Sequence, residues 1–228
     1  MLKRICLLIP NLQPGGMERV MSELSHYFCE RGLYEVHLVL YGIRTEIFYK
    51  VPPNLKIHFS SFQFNKDYRL LSTIRTLIFL RGKVKTINPY CVLSFGELWN
   101  SFVLTALLGT KFKVYVSDRS QPGKNWGIFH EWLRKRLYPK AAGIIYQTDT
   151  ALKIYSRILK HENCIVIGNP IKQISCSESC NKDKIILSIG RLINTKHHDE
   201  LIKIFACIND PEWKLIIVGA DAQMQSNM

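Results

Sequence analysis

The first forty residues contain the pattern that most restricts the fold, namely two short apolar runs separated by one amphipathic helix. Residues 5–9 and 36–40 are predominantly apolar, which is typical of strands that are covered on both faces. Between them, residues 17–31 place their apolar side chains on one face of a helix, and Gly32 follows as the residue that ends it. Strand, helix and strand in this order form a βαβ unit, so the sequence predicts a parallel sheet.

The same alternation of strands and helices continues up to residue 170. Further strands are predicted at residues 55–59, 91–95, 113–117, 143–147 and 164–167, and further helices at residues 69–87, 97–108, 126–138 and 151–159. We therefore predict an α/β fold in which residues 1–170 form a complete Rossmann-like domain with a doubly wound parallel sheet. The polar residues 171–183 are predicted to be a linker, and residues 184–228 the first part of a second, incomplete Rossmann-like domain.

Two cations flank the loop that follows the first strand of the second domain. The apolar run at residues 185–189 ends at Gly190, where a closely approaching ligand favours the absence of a side chain. Arg191 and Lys196 lie on either side of the next loop, and a helix begins shortly afterwards. A strand end, a helix start and two cations make a site suited to a diphosphate. The alternative is that both cations are solvated surface residues.

A glycine pair precedes the first helix of the chain. Gly15 and Gly16 lie directly before residues 17–31, and such small residues let the N–H groups of a helix N-terminus approach a phosphate or a sugar. Glu18 falls in the first turn, where an acid offsets the helix dipole. Because glycine pairs also occur in plain turns, this motif alone does not specify a ligand.

Three motifs of this chain occur together in one known enzyme family. They are Gly190-Arg191-Leu192 with Lys196 and Phe205-Ala206, Gly15-Gly16 with Glu18-Arg19, and Asn169-Pro170. In this combination the chain resembles the retaining glycosyltransferases of family 4, which have the GT-B fold. The resemblance implies that Gly190, Arg191 and Lys196 bind the diphosphate of a sugar-nucleotide donor. It also implies that Gly15 and Gly16 form a loop on the acceptor side.

The strand at residues 113–117 ends in a departure from the pattern of that family. Many members end this strand with a histidine that faces the transferred sugar, whereas this chain has Asp118 and Arg119. We predict that Arg119 holds an acceptor phosphate and that Asp118 orients it, which makes these two the candidate catalytic residues. The alternative is a surface ion pair between them. Glu97, which follows another buried strand, either reaches the same cleft or only begins a helix.

The resemblance implies an enzyme that transfers a sugar from a nucleotide-sugar donor to a polyprenyl-linked or polysaccharide acceptor. Such enzymes act in the synthesis of bacterial surface glycans such as lipopolysaccharide, and neither a cofactor nor a bound metal is expected. In the family, a pair of glutamates beyond the Arg–Lys loop holds the donor. No such pair follows Gly219, and Asp221 replaces a second glycine there. We therefore expect the chain to stop within the second domain and to be inactive alone.

The charge of the chain indicates an anionic partner. Lys and Arg number 31 against 18 Asp and Glu, which gives a formal net charge of +13. The helix at residues 126–138 pairs an apolar stripe with a basic flank, as membrane-surface helices do. The segment at residues 69–85 has a similar pattern. For both segments the alternative is that the apolar stripe packs on the sheet and that the cations are merely solvated. We expect a peripheral protein on the cytoplasmic face of the cell membrane. The residues predicted to contact the anionic membrane are Trp126, Trp132, Arg134, Lys135 and Arg136.

Other classes of protein fit the sequence less well. A nucleic-acid-binding protein would account for the charge, but the sequence contains no helix-turn-helix, zinc or RNA-binding motif, so no nucleic-acid partner is expected. A nucleotide-sugar oxidoreductase would need Gly-x-Gly-x-x-Gly after a strand, and the sequence has none. Cys176 and Cys180 lack the second ligand pair of a zinc site, and the irregular cysteine spacing favours a reducing compartment. No apolar segment of the sequence reaches the length of a membrane span.

Overall fold

The computed structural model describes residues 2–43, 46–65, 67–124, 126–171, 183–208 and 210–220. The chain divides into two compact units, Met1–Ile171 and Lys172–Met228. The linker predicted at residues 171–183 lies outside the described residues except at its two ends.

The first unit is built on one sheet of seven parallel strands. These are β1 (Lys3–Ile9), β2 (Tyr34–Leu40), β3 (Lys56–Phe59), β4 (Cys91–Phe95), β5 (Lys113–Ser117), β6 (Gly143–Tyr146) and β7 (Cys164–Val166). Their order in the sheet is β3-β2-β1-β4-β5-β6-β7, and every neighbouring pair is parallel. The chain thus moves outward from β1 to β3 and then returns to place β4 on the other side of β1. The predicted α/β fold with a doubly wound parallel sheet is confirmed.

Among the described residues, five α-helices cover the two faces of this sheet. They are α1 (Gly16–Glu30), α2 (Arg69–Ile87), α3 (Glu97–Leu107), α4 (Ile128–Leu137) and α5 (Asp149–Leu159). The core is divided between the faces, because alternate residues of each strand point to opposite sides. Leu7 of β1 packs in the same cluster as Val20 of α1. Leu8 of β1 instead packs in the cluster formed with α2 to α5.

Helix α2 has the bounds that the sequence predicts, but its apolar stripe points away from the sheet. Its buried residues include Leu80, Val84 and Ile87, whereas Leu70 and Ile78 of the predicted stripe are exposed. The alternative that this stripe packs on the sheet therefore holds for Leu77, which is partly buried against the core, but not for Leu70, Leu71, Ile74 or Ile78. In the part of the chain that the structure describes, no helix is both long and apolar enough to cross a bilayer.

Helix α4 begins two residues later than the sequence predicts. Gly127 precedes it with a φ of +94°, in the left-handed region that favours glycine, so the helical conformation starts only at Ile128. Trp126 therefore lies before the helix rather than on its face. The helix ends at Leu137, and the chain continues through a short 3₁₀ turn, Tyr138–Lys140, that accommodates Pro139.

The second unit contains two parallel strands and one α-helix among its described residues. Strands β8 (Ile185–Ile189) and β9 (Lys214–Val218) pair in register, and α6 (His198–Ala206) lies between them in sequence. Directly after β9, a Cβ atom placed on Gly219 would lie 1.9 Å from the carbonyl oxygen of Gly190. Only glycine therefore permits this close approach of the two loops that follow the strands.

Candidate functional site

The first candidate site lies at the carboxyl ends of β1 and β4, where the strand order reverses. In open parallel sheets, ligands bind in the crevice at such a reversal. Gly15 precedes α1 there, and its N–H donates to the hydroxyl of Tyr49 over 3.0 Å, while that hydroxyl donates to the Gly15 carbonyl over 2.7 Å. A Cβ atom on Gly16 would meet no atom within 4 Å, so space lies open beside this residue. The predicted glycine loop thus begins α1 at the edge of the sheet where ligands are expected.

A third glycine brings the starts of α1 and α3 together at the same edge. Gly96 lies between β4 and α3 with a φ of +92°, and a Cβ atom there would lie 3.0 Å from the sulfur of Met17. Its N–H donates to the carbonyl of Ser117 at the end of β5 over 2.9 Å. Gly96 was not among the predicted site residues, although a glycine between a buried strand and a helix is a signal that could have identified it.

Glu97, the first residue of α3, is buried and fixes the loop that follows β5. Its carboxylate accepts hydrogen bonds from the N–H of Ser120 over 2.6 Å and from the hydroxyl of Ser120 over 2.8 Å. The side chain is therefore occupied by the protein itself, and its geometry supports a role in holding this loop rather than in contacting a ligand.

The Asp118 carboxylate is turned into the protein, so its contacts do not support the prediction that it orients an acceptor phosphate held by Arg119. It accepts a hydrogen bond from the Tyr138 hydroxyl over 2.6 Å and one from the Asn100 amide over 3.3 Å, and it forms an ion pair with Arg134. Burial raises the pKa of Asp118 to about 6, although Arg134 favours the ionised form. Asp118 is therefore a positioning residue that connects β5 to α4.

Arg134 lies inside the protein, so the prediction that it contacts a membrane is wrong. Its side chain is 3% exposed, and its guanidinium lies 3.9 Å from the ring centroid of Tyr155 and 5.1 Å from that of Tyr138. Burial lowers the pKa of Arg134, but Asp118 together with Tyr138 and Tyr155 raises it by more, so the pKa lies above its ordinary value and the guanidinium stays charged. The adjacent cations Lys135 and Arg136 are exposed, as the predicted surface requires.

Arg119 does not pair with Asp118, and the alternative of a surface ion pair between them is also wrong. Its guanidinium lies 4.2 Å from the ring centroid of Phe95 and donates to the Asn169 side chain over 2.7 Å. Gln147 donates to the same Asn169 oxygen over 2.7 Å. Burial lowers the pKa of Arg119 to about 10, so the side chain keeps its charge at neutral pH. A fixed positive charge therefore stands at the end of β5.

The second candidate site lies at the carboxyl end of β8. The N–H of Gly190 donates to the carbonyl of Val218 over 2.9 Å, and the methylenes of Lys196 would lie 3.8 Å from a Cβ atom on Gly190. Arg191 is exposed, and its carbonyl lies 3.2 Å from Nε2 of His198, the first residue of α6. The structure thus brings Gly190, Lys196 and the start of α6 together, with Arg191 in the same loop.

Neither site contains a recognisable metal-binding cluster. Across the described ranges, no group of three or more His, Cys, Asp or Glu side chains could hold a metal ion. Chemistry at these sites can draw on backbone N–H groups and on the cations of Arg119, Arg191 and Lys196.

Comparison with known proteins identifies glycosyltransferases as relatives. Residues 172–228 match the family model described as glycosyl transferases group 1. The chain is 24% identical to a Campylobacter jejuni enzyme named GalNAc-alpha-(1->4)-GalNAc-alpha-(1->3)-diNAcBac-PP-undecaprenol alpha-1,4-N-acetyl-D-galactosaminyltransferase, over 99% of this chain and 63% of that protein. It is 26% identical to a second enzyme of that organism, N-acetylgalactosamine-N,N'-diacetylbacillosaminyl-diphospho-undecaprenol 4-alpha-N-acetylgalactosaminyltransferase, over 96% of this chain and 63% of that protein. The chain thus spans less than two thirds of the length of these relatives.

Solved structures show the same fold at low sequence identity. Sucrose-phosphate synthase from Thermosynechococcus elongatus matches 97% of this chain with a TM-score of 0.75 and 14% identity, and the match covers 63% of that structure. Anabaena HepE in complex with UDP and glucose matches 99% of this chain with a TM-score of 0.70 and 13% identity, again over 63% of that structure. The fold is that of GT-B glycosyltransferases, and the first unit is a Rossmann-like domain.

Proposed function

We propose that this chain is part of a retaining glycosyltransferase of family 4, which transfers a sugar from a nucleotide donor to a lipid-linked or polysaccharide acceptor. The observation that carries the proposal is the placement of Gly190, Arg191 and Lys196 between the carboxyl end of β8 and the start of α6. This is the kind of site that binds a diphosphate in an α/β protein. The names of the two Campylobacter relatives, both of which act on undecaprenyl-diphosphate-linked sugars, support the acceptor class.

The proposed donor chemistry needs positive charge at the leaving diphosphate. As the bond between sugar and phosphate breaks, negative charge develops on the diphosphate oxygens. The guanidinium of Arg191 would pair with two of these oxygens, and the ammonium of Lys196 would act as a mobile point charge. Cations placed at the diphosphate stabilise the transition state more than the ground state, because the additional negative charge on the diphosphate develops only in the transition state.

The acceptor would bind to the first unit at the strand-order reversal. Open space lies beside Gly16 at the N-terminus of α1, whereas the Glu18 carboxylate lies against Gly15. Arg119 keeps its charge at the end of β5 and would hold an acceptor phosphate. The Asp118 carboxylate is occupied by Arg134 and Tyr138, so we assign it a positioning role rather than a contact with the acceptor. With a polyprenyl-linked acceptor, the enzyme would work as a peripheral protein on the cytoplasmic face of the membrane, in the synthesis of surface glycans.

Binding of UDP measured by titration calorimetry tests the donor site. We expect a chain of these 228 residues to bind UDP more tightly than uridine, and Arg191→Ala or Lys196→Ala to weaken UDP binding about tenfold or more. Lys203→Ala is the matched control, since Lys203 is an exposed cation in the last turn of α6, the helix that follows this loop. We expect no turnover by these 228 residues, because no glutamate follows Glu212.

Two results would count against this assignment. Equal affinity for UDP and uridine would show that the loop does not recognise the diphosphate. An equal loss of affinity in Arg191→Ala and Lys203→Ala would show that only the general positive charge of the second unit matters.

A further inference from the structure

Helix α2 is inverted in its N-terminal half, with polar side chains inside and apolar side chains outside. Ser72 and Thr76 are buried, whereas Leu70 and Ile78 are 76% and 66% exposed, and Ile74 between them is also exposed. An amphipathic helix of a globular protein normally has the reverse arrangement. Burial within this unit therefore does not explain the apolar stripe of α2.

The C-terminal half of α2 and the loop before the helix together fix this inverted orientation. The C-terminal half of the helix anchors Leu80 and Val84 in the core, and helical periodicity then turns Thr76 and Ser72 inward. The buried hydroxyls are satisfied locally, because Thr76 donates to the carbonyl of Ser72 over 2.8 Å and Ser72 donates to the carbonyl of Asn65 over 3.2 Å. The helix is therefore held in this rotation without an unpaired polar group.

A second exposed apolar surface lies on the same side of the sheet. Helix α3 contacts both α2 and α4, and all three helices contribute to one core cluster. On α4, the side chains of Ile128, Phe129 and Trp132 are exposed, and the rings of Phe129 and Trp132 stack with centroids 6.4 Å apart. We define the outward surface of α2 and α4 as the helix face. The exposed apolar side chains of α2 and α4 together are more than isolated surface residues, and they indicate a surface that binds another molecule or a membrane.

The charges around the helix face are almost all positive. Helix α2 has no acidic residue, and Arg75 and Lys85 are exposed along it. On α4, Lys135 and Arg136 are exposed, and the Arg136 guanidinium lies 5.9 Å from the ring centroid of Trp132. Arg134 and Arg81 do not belong to this set. Arg134 pairs internally with Asp118, and Arg81 donates to the carbonyls of Ala106 and Leu108 at the end of α3.

We propose that the helix face binds an anionic lipid bilayer, with the apolar residues of α2 and α4 entering the headgroup region and the cations contacting lipid phosphates. An apolar stripe with a basic rim is complementary to such a surface. A second copy of this chain would oppose like charges across the contact. A nucleic-acid backbone would leave the apolar centre in water. The proposal rests on the proposed function in that a lipid-linked acceptor would lie in such a bilayer. Membrane binding itself depends on neither donor binding nor turnover.

Vesicle flotation with the 228-residue chain tests the proposal. We compare neutral phosphatidylcholine vesicles with vesicles in which part of the lipid is phosphatidylglycerol, and we expect binding to the anionic vesicles. Ile74→Ser and Ile78→Ser should each lower the partition coefficient about tenfold, since each removes an exposed apolar side chain that membrane binding would bury in the bilayer. Arg75→Glu and Lys85→Glu should each lower it about fivefold or more.

Matched controls come from the opposite side of the sheet. Leu33 follows α1 and is 59% exposed, and the carbonyl of the exposed Lys50 accepts hydrogen bonds from Ser22 and His26 of α1. Leu33→Ser and Lys50→Glu should leave vesicle binding unchanged. Circular dichroism melts of every variant confirm that the fold is retained.

Three outcomes would overturn the proposal. The first is equal binding to neutral and anionic vesicles with no effect of the α2 variants. The second is self-association in sedimentation equilibrium that Ile78→Ser abolishes while vesicle binding is absent. The third is binding to random duplex DNA that Lys85→Glu abolishes, again without vesicle binding. None of these results would change the expected binding of UDP. Failure of this proposal is therefore distinguishable from failure of the proposed function.

Discussion

Arg134 of α4 and Asp118 at the end of β5 form an ion pair in which both side chains are 3% exposed. The pair joins a helix on the surface of the sheet to the edge that carries the acceptor-side candidate site. Charges removed from water in this way are costly unless each keeps its partner. The pair is therefore a sensitive point for the stability of the first unit.

Arg134→Met should strongly destabilise the first unit. The substitution leaves the Asp118 carboxylate buried without its counter-charge, and breaking a buried pair in this way costs about 3–5 kcal/mol. Arg136→Met is the matched control, because Arg136 is exposed on the same helix and should change the free energy of unfolding by about 0.5 kcal/mol or less. Urea unfolding followed by circular dichroism measures both. Equal losses in the two variants would contradict a special role for the pair.

The destabilisation by Arg134→Met should shrink in acid. The pKa of Asp118 in the folded wild type, about 6, lies above its ordinary value of 3.8, and loss of the guanidinium raises it further. Between pH 3.8 and the raised pKa of Asp118 in the variant, the folded variant binds a proton at Asp118 that the unfolded chain does not bind. The stability of the variant therefore falls as the pH rises from 3.8 to that pKa. We expect a smaller deficit relative to wild type at about pH 5 than at about pH 8. A deficit that does not change with pH would contradict this.

His37 of β2 and His58 of β3 should make the first unit sensitive to acid. Their rings stack 5.2 Å apart, and Nδ1 of His37 lies 2.9 Å from Nε2 of His58. Burial lowers the pKa of both rings below 6.5. The unfolded chain therefore binds protons more readily, and the stability present above about pH 6.5 is lost as the pH falls. The charged neighbours that act on the two rings are Arg4, Glu35, Lys56 and Lys83.

His58→Gln tests this pH dependence. The variant removes one titrating ring of the stacked pair, so the urea midpoint should fall less between about pH 7.5 and about pH 5.5 than in the wild type. Chemical unfolding at both pH values measures the difference. An unchanged pH dependence would show that His58 binds protons equally well in the folded and the unfolded chain, which would contradict the prediction.

Gly96→Ala should destabilise the first unit, whereas Gly82→Ala should stabilise it. Gly96 has a φ of +92° and lies against Met17, so an added Cβ meets both backbone strain and a close contact, at a cost of about 1–3 kcal/mol. Gly82 lies inside α2 with open space around it, so alanine there should add about 0.5–1 kcal/mol. Thermal unfolding of both variants gives the comparison. A change of stability in the same direction in both variants would contradict the different surroundings described for Gly96 and Gly82.

Local pattern predicted the elements of the first unit well, but not the rotation of its helices. Strands β4 and β5 and helix α2 have the predicted bounds, because short apolar runs and turn residues define them. The inward face of α2 could not be predicted, since the most apolar stripe is the exposed one. The deciding facts are non-local: Leu80 and Val84 reach the core, and the Ser72 hydroxyl bonds to Asn65.

The candidate sites show the same division between local and non-local information. The positions of Gly15, Gly16 and the loop around Lys196 follow from strand–loop–helix patterns. The role of Arg134 does not, because Arg134-Lys135-Arg136 forms a uniform basic run in sequence. Only the fold shows that one of these cations turns inward to a carboxylate 16 positions earlier in the chain.

The strand order also determines when the sheet can assemble during synthesis. Strand β1 pairs on one side with β2, which follows after one helix, and on the other with β4, where Ile5 meets Cys91. The β1–α1–β2 segment can form early, but the second side of β1 must wait until β3, α2 and β4 have all left the ribosome. Until then an apolar strand edge at the middle of the future sheet is unpaired. Contacts of such long sequence separation slow folding, so a nascent chain that pauses before residue 95 would depend on chaperones.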